Sequence, residues 1–175
     1  GAGACLARLA AIARDVADSF STPSSPRFVS GSLGPTTKLV SLGHVDFDTL
    51  LNGYTIQVQA LLDGGVDLLQ IETCQDPLQI KAAVQAAHAA FASKGRRVPI
   101  FVQFTVETVG TMLVGTDVPA VLTTLEYLPV EGVGVNCATG PDLMKEHVRF
   151  LGKTSTKLIS VLPNAGLPRN VNGRA

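Results

Sequence analysis

The chain has 175 residues, 46% of them hydrophobic, which suffices for one ordinary domain with a buried core. Its 14 basic residues balance its 14 acidic ones, so no nucleic-acid partner is expected. Polar residues or glycine interrupt every apolar run before the roughly 20 residues of a membrane span, so no membrane contact is expected either.

Helical and strand-like segments alternate along the chain. Asp46 can cap a helix that ends at Gly64, and Asp76 followed by Pro77 is typical of a second helix start. The remaining assignments follow from the spacing of apolar residues. The predicted helices span 4–20, 46–62, 78–94, 117–128 and 141–151, and the predicted strands span 27–32, 66–72, 99–105, 132–137 and 158–162. Residues 34–45, 107–115 and 163–175 are predicted loops.

This alternation predicts a parallel sheet joined by right-handed helical crossovers, hence an α/β fold. Two architectures fit the pattern: an open doubly wound sheet and an eight-stranded barrel of the TIM type. A complete barrel needs about 250 residues, so five strands correspond to part of one. Both architectures place their active sites at the carboxyl ends of the strands, which makes those ends the segments to inspect.

Small and polar residues concentrate after the predicted strands. Loops between strands and helices need such residues for turns and caps in any case, so a single loop is weak evidence. Five such loops on one rim favour a functional site. The segments are GSLGPT (31–36), ETCQD (72–76), TVET (105–108), NCATGP (136–141) and PNAGLP (163–168).

Cys137 carries the clearest chemistry. A thiol between a strand and a helix start lies where the helix dipole favours the thiolate, so it could be a nucleophile, a metal ligand or a buried structural cysteine. No histidine stands near it in sequence as a base, and no CxxC or HExxH spacing occurs, so the pattern alone does not diagnose zinc. The three histidines are expected at packing or surface positions: His44, His88 and His147.

The other candidates are less specific. Glu72 ends an apolar strand, where a carboxylate either caps the next turn or faces a ligand. Cys74 is expected to be a packing residue, and Cys5 a core or interface residue. The three cysteines are odd in number and far apart, which is typical of reduced thiols in a cytoplasmic protein. Residues 31–36 could offer backbone N–H groups to an anion, but the segment lacks the lysine of a phosphate-binding loop.

Four motifs occur in an order that resembles the homocysteine S-methyltransferase family. They are GSLGPTTK (31–38), IETCQD (71–76), VNCATGP (135–141) and PNAGLP (163–168), and the likeness covers nearly the whole chain. The last motif is closer to the homocysteine-binding barrel of cobalamin-dependent methionine synthases than to the enzymes that use betaine or S-methylmethionine.

The resemblance implies a partial (β/α)8 barrel that transfers a methyl group to the sulfur of homocysteine, giving methionine. It implies zinc as a cofactor, and methylcobalamin and folate modules elsewhere in a longer chain. Cys137 resembles the first of three zinc thiolates and Asn164 a further zinc ligand, while Glu72, Ser32 and Thr105 are the candidate substrate-binding residues. Thiolate-bound zinc would lower the pKa of the substrate thiol from about 8.5 and so present a nucleophile.

The departures from the family pattern are also informative. The family's first strand, most of its second and its last strand with a Cys-Cys pair have no counterpart here, and the chain starts at Gly1 rather than Met. We therefore expect residues 1–175 to be a fragment of a single barrel domain, inactive alone and weak in zinc binding. The alternatives are a betaine-type or S-methylmethionine-type methyltransferase, a degenerate metal-free barrel that serves as a binding module, and an unrelated barrel enzyme.

Overall fold

The computed structural model of the chain describes residues 1–165. Helices and strands alternate along this range as predicted. The elements are α1 (Ala2–Phe20), β1 (Ser30–Leu33), a 3-10 turn (Val40–Leu42), α2 (Phe47–Asp63), β2 (Leu68–Cys74), α3 (Pro77–Lys94), β3 (Ile100–Phe104), α4 (Val118–Glu126), β4 (Gly132–Asn136), α5 (Pro141–Thr154) and β5 (Leu158–Leu162).

The five strands form one parallel sheet whose spatial order equals the order along the chain, β1-β2-β3-β4-β5. An open doubly wound sheet reverses its strand order at a switch point, whereas a barrel winds in one direction only. The order therefore decides between the two predicted architectures. The sheet is a five-stranded section of a (β/α)8 barrel, and the prediction of a partial barrel is confirmed.

The two faces of the sheet differ in chemistry. Side chains of alternate residues point to opposite faces of a strand. One face is apolar and belongs to the core cluster that includes residues of α2, α3, α4 and α5; its strand residues include Leu33, Leu69, Ile71, Val102, Phe104, Val133 and Val135. The other face, which corresponds to the barrel interior, is mixed: it lines a cavity with the polar residues Ser30, Ser32, Gln70, Glu72 and Ser160 and the apolar residues Leu68, Phe101 and Leu162.

The predicted helix caps are present. The Asp46 carboxylate accepts from the Thr49 N–H at 2.7 Å, and the Asp76 carboxylate accepts from the Leu78 N–H at 2.9 Å. Asp76 is fully buried and also accepts from the backbone N–H and hydroxyl of Ser41 at 2.8 and 2.7 Å. These bonds hold the 3-10 turn within the segment predicted as a loop, next to the start of α3.

The strand boundaries differ from the predicted ones for a local reason. Before β1 and β2, the backbone of Val29 pairs with Asp67, whose carboxylate accepts from the Val29 N–H at 2.7 Å and whose own N–H donates to the Val29 carbonyl at 2.8 Å. A side chain thus replaces part of the ladder, and the regular strands start later than predicted. At its other end, β2 continues through a register shift to Cys74.

Helix α1 packs with its small residues against the end of α2, where a Cβ on Gly64 would overlap Ala10. Its opposite side exposes four large apolar residues at helical spacing: Leu9, Ile12, Val16 and Phe20. Cys5 is exposed as well, so the core position considered for it is wrong and the interface position stays a prediction. Within the described range, no helix combines the length and the apolar character that a membrane crossing requires.

Candidate functional site

The predicted site residues lie along the carboxyl-end rim of the sheet. Because all five strands are parallel, their carboxyl ends lie along the same rim. Ser32 and Glu72 lie near the carboxyl ends of β1 and β2. Thr105 directly follows β3, Cys137 directly follows β4, and Asn164 comes two residues after β5. Residues 166–168, the end of the PNAGLP motif, lie outside the described residues.

Asn136, the last residue of β4, joins this rim to the end of β2. Its side-chain oxygen accepts from the Thr73 N–H at 2.9 Å, and its nitrogen donates to the Thr73 hydroxyl at 2.7 Å. Thr73 has φ of +58° and lies at the register shift of β2, so a β-branched residue adopts a left-handed conformation that it disfavours. The amide of Asn136 compensates this conformation by bonding both polar groups of Thr73.

Cys137 directly follows Asn136 in the chain. Its φ of +57° turns the chain out of β4, and Ala138 follows with φ of +53°. The Cys137 N–H donates to the Leu162 carbonyl at 3.1 Å, which fixes the turn against β5. The thiol is half-buried; it accepts from the Asn136 amide nitrogen at 3.4 Å and lies 3.8 Å from the Thr73 hydroxyl. The sulfur is therefore oriented by neighbouring polar groups and not by packing in an apolar pocket.

Asn164 is brought to the same loop through its backbone. Its N–H donates to the Thr139 carbonyl at 3.1 Å, and its own carbonyl lies 3.7 Å from the Cβ position of Gly140. The loops after β4 and β5 are thus in contact, and both predicted metal ligands lie on that pair of loops. Residues 1–165 contain no group of three or more His, Cys, Asp or Glu side chains arranged to hold a metal ion.

Glu72 and Ser32 form a second polar pair, on the interior face. The Ser32 hydroxyl donates to the Glu72 carboxylate. Both residues line the interior cavity of 510 Å³, with Ser30, Leu68, Gln70, Phe101, Ser160 and Leu162. Of the two roles considered for Glu72, this placement favours a ligand-facing carboxylate, because the cap of the next helix is Asp76.

Thr105 has a different environment from the other candidates. It is 2% exposed, its hydroxyl donates to the Asn136 carbonyl at 3.2 Å, and its N–H donates to the Cys74 carbonyl at 2.9 Å. Its hydroxyl thus fixes the backbone of Asn136, the residue directly before Cys137.

Cys74, His88 and His44 lie outside the site. Cys74 is fully buried, and burial raises the pKa of its thiol well above the usual range, with Glu72 and Asp76 adding to the effect. It is a packing residue, as predicted. His88 bonds the Pro129 carbonyl at 3.0 Å from the outer helix layer, and His44 bonds the Leu39 N–H at 3.4 Å within its loop.

Comparison with known proteins identifies the family. The family model described as homocysteine S-methyltransferase matches residues 2–175. The chain belongs to the homocysteine S-methyltransferase family. It is 50% identical over 157 residues to a methionine synthase of Mycobacterium leprae and 49% identical over 158 residues to a methionine synthase of Mycobacterium tuberculosis. Each match covers 90% of the chain but only 13% of the relative's length.

Solved structures of a homocysteine methyltransferase support the fold. The homocysteine methyltransferase MmuM from Escherichia coli, in its apo form, superimposes with a TM-score of 0.78 at 23% identity, over 94% of this chain and 61% of that chain. The metallated form gives a TM-score of 0.77 at 22% identity, over 94% and 59% respectively. The expected resemblance to this family is confirmed, and the alternative of an unrelated barrel enzyme is wrong.

Three residues that were not predicted from the sequence lie at this candidate site: Thr73 and Asn136 on the rim and Gln70 on the interior face. Thr73 and Asn136 belong to the ETCQD and NCATGP segments, but their role depends on a contact between β2 and β4 that no local sequence pattern predicts. A signal for Gln70 did exist, because the alternation of Gln70 and Glu72 with Leu69 and Ile71 marks a polar inner face on an otherwise apolar strand.

Proposed function

We propose that this chain forms part of a barrel that binds homocysteine and presents its sulfur for methylation to methionine. The main support is the convergence of an oriented thiol, Cys137, and a serine–carboxylate pair, Ser32 and Glu72, on the rim and interior of one family barrel. The Ser32–Glu72 pair lines the interior cavity, and Cys137 directly follows β4 at the strand ends, where such barrels carry their chemistry.

We infer that methylcobalamin, held on another module, is the methyl donor, and that folate and cobalamin modules accompany this domain. The relatives of about 50% identity are named methionine synthase, and this chain accounts for 13% of their length. S-methylmethionine and betaine are the alternative donors; the homocysteine methyltransferase MmuM is only 23% identical. The three free cysteines favour a reducing cytoplasmic location, which is part of the same proposal.

Zinc is the metal that we propose for the complete site. The described residues alone do not fit it, because a catalytic zinc takes three protein ligands and they offer one thiol, Cys137, with the Asn164 amide on the neighbouring loop. The remaining ligands would have to come from outside residues 1–165. When bound, zinc would stabilise the substrate as a thiolate.

The chain's own residues have separate tasks in this proposal. Glu72, with Ser32 donating to it, offers a negative charge to the substrate ammonium group. Asn136 and Thr105 are positioning residues: Thr105 bonds the Asn136 carbonyl, and Asn136 orients the Cys137 thiol. Asn164 lies beside them as the proposed second metal ligand.

Methionine formation from the product of the complete reading frame tests this function. Methylcobalamin, betaine and S-methylmethionine are supplied in separate reactions with homocysteine, and zinc is measured by elemental analysis. We expect activity only in the reaction that contains methylcobalamin as the donor. Cys137→Ser should lose both this activity and the stoichiometric zinc. Activity with another donor would move the protein to that class. No activity and no zinc with any donor would support a metal-free binding module instead.

A further inference from the structure

The sulfur of Cys137 has two hydrogen-bond donors beside it, and the surrounding bonds fix their direction. The Thr73 N–H donates to the Asn136 side chain at 2.9 Å, so this end of the amide is the oxygen and the other end is the NH2 group. The NH2 group donates to the Thr73 hydroxyl at 2.7 Å and to the Cys137 sulfur at 3.4 Å. The Thr73 hydroxyl keeps its own proton, and the sulfur lies 3.8 Å away as an acceptor for it.

The hydroxyl of Thr73 is held beside this sulfur at a conformational cost. Thr73 has φ of +58°, a conformation that β-branched residues disfavour. Glycine would adopt this φ without strain, but it would supply no hydroxyl. Strained residues cluster at functional sites, where the strain is part of the mechanism. The contact with the Cys137 sulfur therefore indicates what the Thr73 side chain is for.

Hydrogen bonds to a sulfur reduce its reactivity as a nucleophile. They are strongest when the sulfur carries the charge of a thiolate. When the sulfur attacks a carbon atom, it shares its electron pair, so its charge falls and these bonds weaken in the transition state. An interaction that is stronger in the ground state than in the transition state slows the reaction. With donors on Thr73 and Asn136, the Cys137 thiolate is a weaker nucleophile than a thiolate without them.

We propose that Thr73 and Asn136 restrain the nucleophilicity of Cys137, so that a methyl donor at this rim methylates the substrate thiolate and not the protein's own sulfur. In the suppressed side reaction, the lone pair of the Cys137 sulfur would form a bond to the methyl carbon. The bond between that carbon and the donor would break, and its electron pair would stay with the donor. The product would be an uncharged methyl thioether at Cys137. Both residues act through Cys137 and are positioning residues. This inference rests on the proposed function, since it assumes an electrophilic methyl donor.

Alkylation kinetics of Cys137 test this inference in the protein made from the complete reading frame, with a chelator present so that no metal ion binds the sulfur. Methyl iodide is the probe, peptide mapping by mass spectrometry reads each cysteine, and the exposed Cys5 is the internal reference. Rates are compared on the pH plateau, where the thiols are fully ionised, so that differences in ionisation do not contribute. Thr73→Val keeps the shape of the side chain without its hydroxyl. It should raise the ratio of Cys137 to Cys5 alkylation by about 3- to 10-fold, since hydrogen bonds to charged groups are the stronger class.

Three comparisons separate a lost hydrogen bond from a loosened loop. Thr73→Ser keeps the hydroxyl, and its ratio should stay within about twofold of the unmodified protein. Thr139→Val is the matched control: Thr139 is 5% exposed and lies in the Cys137 loop, but the donors to the sulfur are Asn136 and Thr73, so the ratio should be unchanged. Iodoacetamide is bulkier than methyl iodide. Loss of the hydrogen bond should accelerate both reagents by the same factor, whereas a loosened loop should accelerate the bulkier reagent more.

The possible outcomes distinguish this inference from the proposed function. An unchanged ratio in Thr73→Val, or an acceleration seen mainly with iodoacetamide, overturns the inference and leaves the proposed function standing. Should Thr73→Val not fold, Thr73→Ala is compared with Thr73→Ser, because these two variants differ only in the hydroxyl; equal rates would refute the inference.

Turnover with methylcobalamin and homocysteine tests the consequence for methyl transfer. Thr73→Val should accumulate a methyl group on Cys137, and the unmodified protein should not. If methionine forms and Cys137 stays unmethylated in the variant, only the inference fails. If no methionine forms with any donor, the proposed function fails and the role in directing the methyl group fails with it.

Discussion

Removal of the Asn136 side chain should loosen the site at the end of β2 as well as at β4. Asn136→Ala deletes both bonds to Thr73 and leaves the Thr73 N–H without its partner. An orphaned buried donor costs about 1–3 kcal/mol and the second hydrogen bond contributes about 1 kcal/mol. Because Asn136 is only 1% exposed, water does not readily replace either bond, so we expect a loss of about 2–4 kcal/mol in the free energy of unfolding.

Two measurements check this expectation. Urea unfolding followed by circular dichroism gives the change in stability, and hydrogen exchange read by mass spectrometry reports the peptide that contains Thr73. The matched control is Asn52→Ala on the exposed side of α2, which should change stability by less than about 0.5 kcal/mol. If Asn136→Ala changes stability as little as the control and leaves hydrogen exchange at Thr73 as in the unmodified protein, the two Asn136–Thr73 hydrogen bonds do not stabilise the site as argued.

Three further outcomes follow from the described contacts. Iodoacetamide should label Cys137 in the native protein but Cys74 only after unfolding, because burial excludes the reagent and raises the pKa of the Cys74 thiol; peptide mapping reads this directly. Gly132→Ala should destabilise by about 1–3 kcal/mol in urea, since the new Cβ overlaps the Phe101 ring, and Phe101→Leu should recover part of the loss. Hydrogen bonds from the Ser155 and Thr156 hydroxyls lower the pKa of Glu126. Its contribution to stability is therefore fully present above pH 4.5, the ordinary pKa of the unfolded chain, and is lost as the pH falls through the lower pKa of the folded state. Glu126→Gln should flatten this pH dependence of the free energy of unfolding.

The fold was predictable because its signals are local. Asp46 and Asp76 cap their helices as expected, and Gly95 ends α3 with φ of +63°. Choosing between the two predicted architectures needed the strand order, which is a property of the whole sheet. Strand ends were less predictable: the Asp67 carboxylate takes over ladder bonds before β2, and only the tertiary contact with Val29 reveals this.

The candidate site was predictable as a set of loops but not as a geometry. Cys137, Glu72 and Ser32 could be selected because they end or follow apolar strands. The left-handed conformation of Thr73 could not, since it runs against the preference of a β-branched residue and depends on Asn136, 63 positions away. Thr105 was selected by position, yet its hydroxyl is committed to the Asn136 carbonyl.

Three non-glycine residues with positive φ are found in the described range, and all lie at this rim: Thr73, Cys137 and Ala138. Each such conformation costs roughly 1 kcal/mol or more and persists only where the surroundings enforce it. The enforcing bonds are those of Asn136 to Thr73 and of the Cys137 N–H to β5. Glycine at these positions would remove the strain and also remove the thiol and the Thr73 hydroxyl beside it. The strained backbone is therefore best understood as the cost of placing two side chains, a sulfur and a hydroxyl, 3.8 Å apart at the carboxyl-end rim of the sheet.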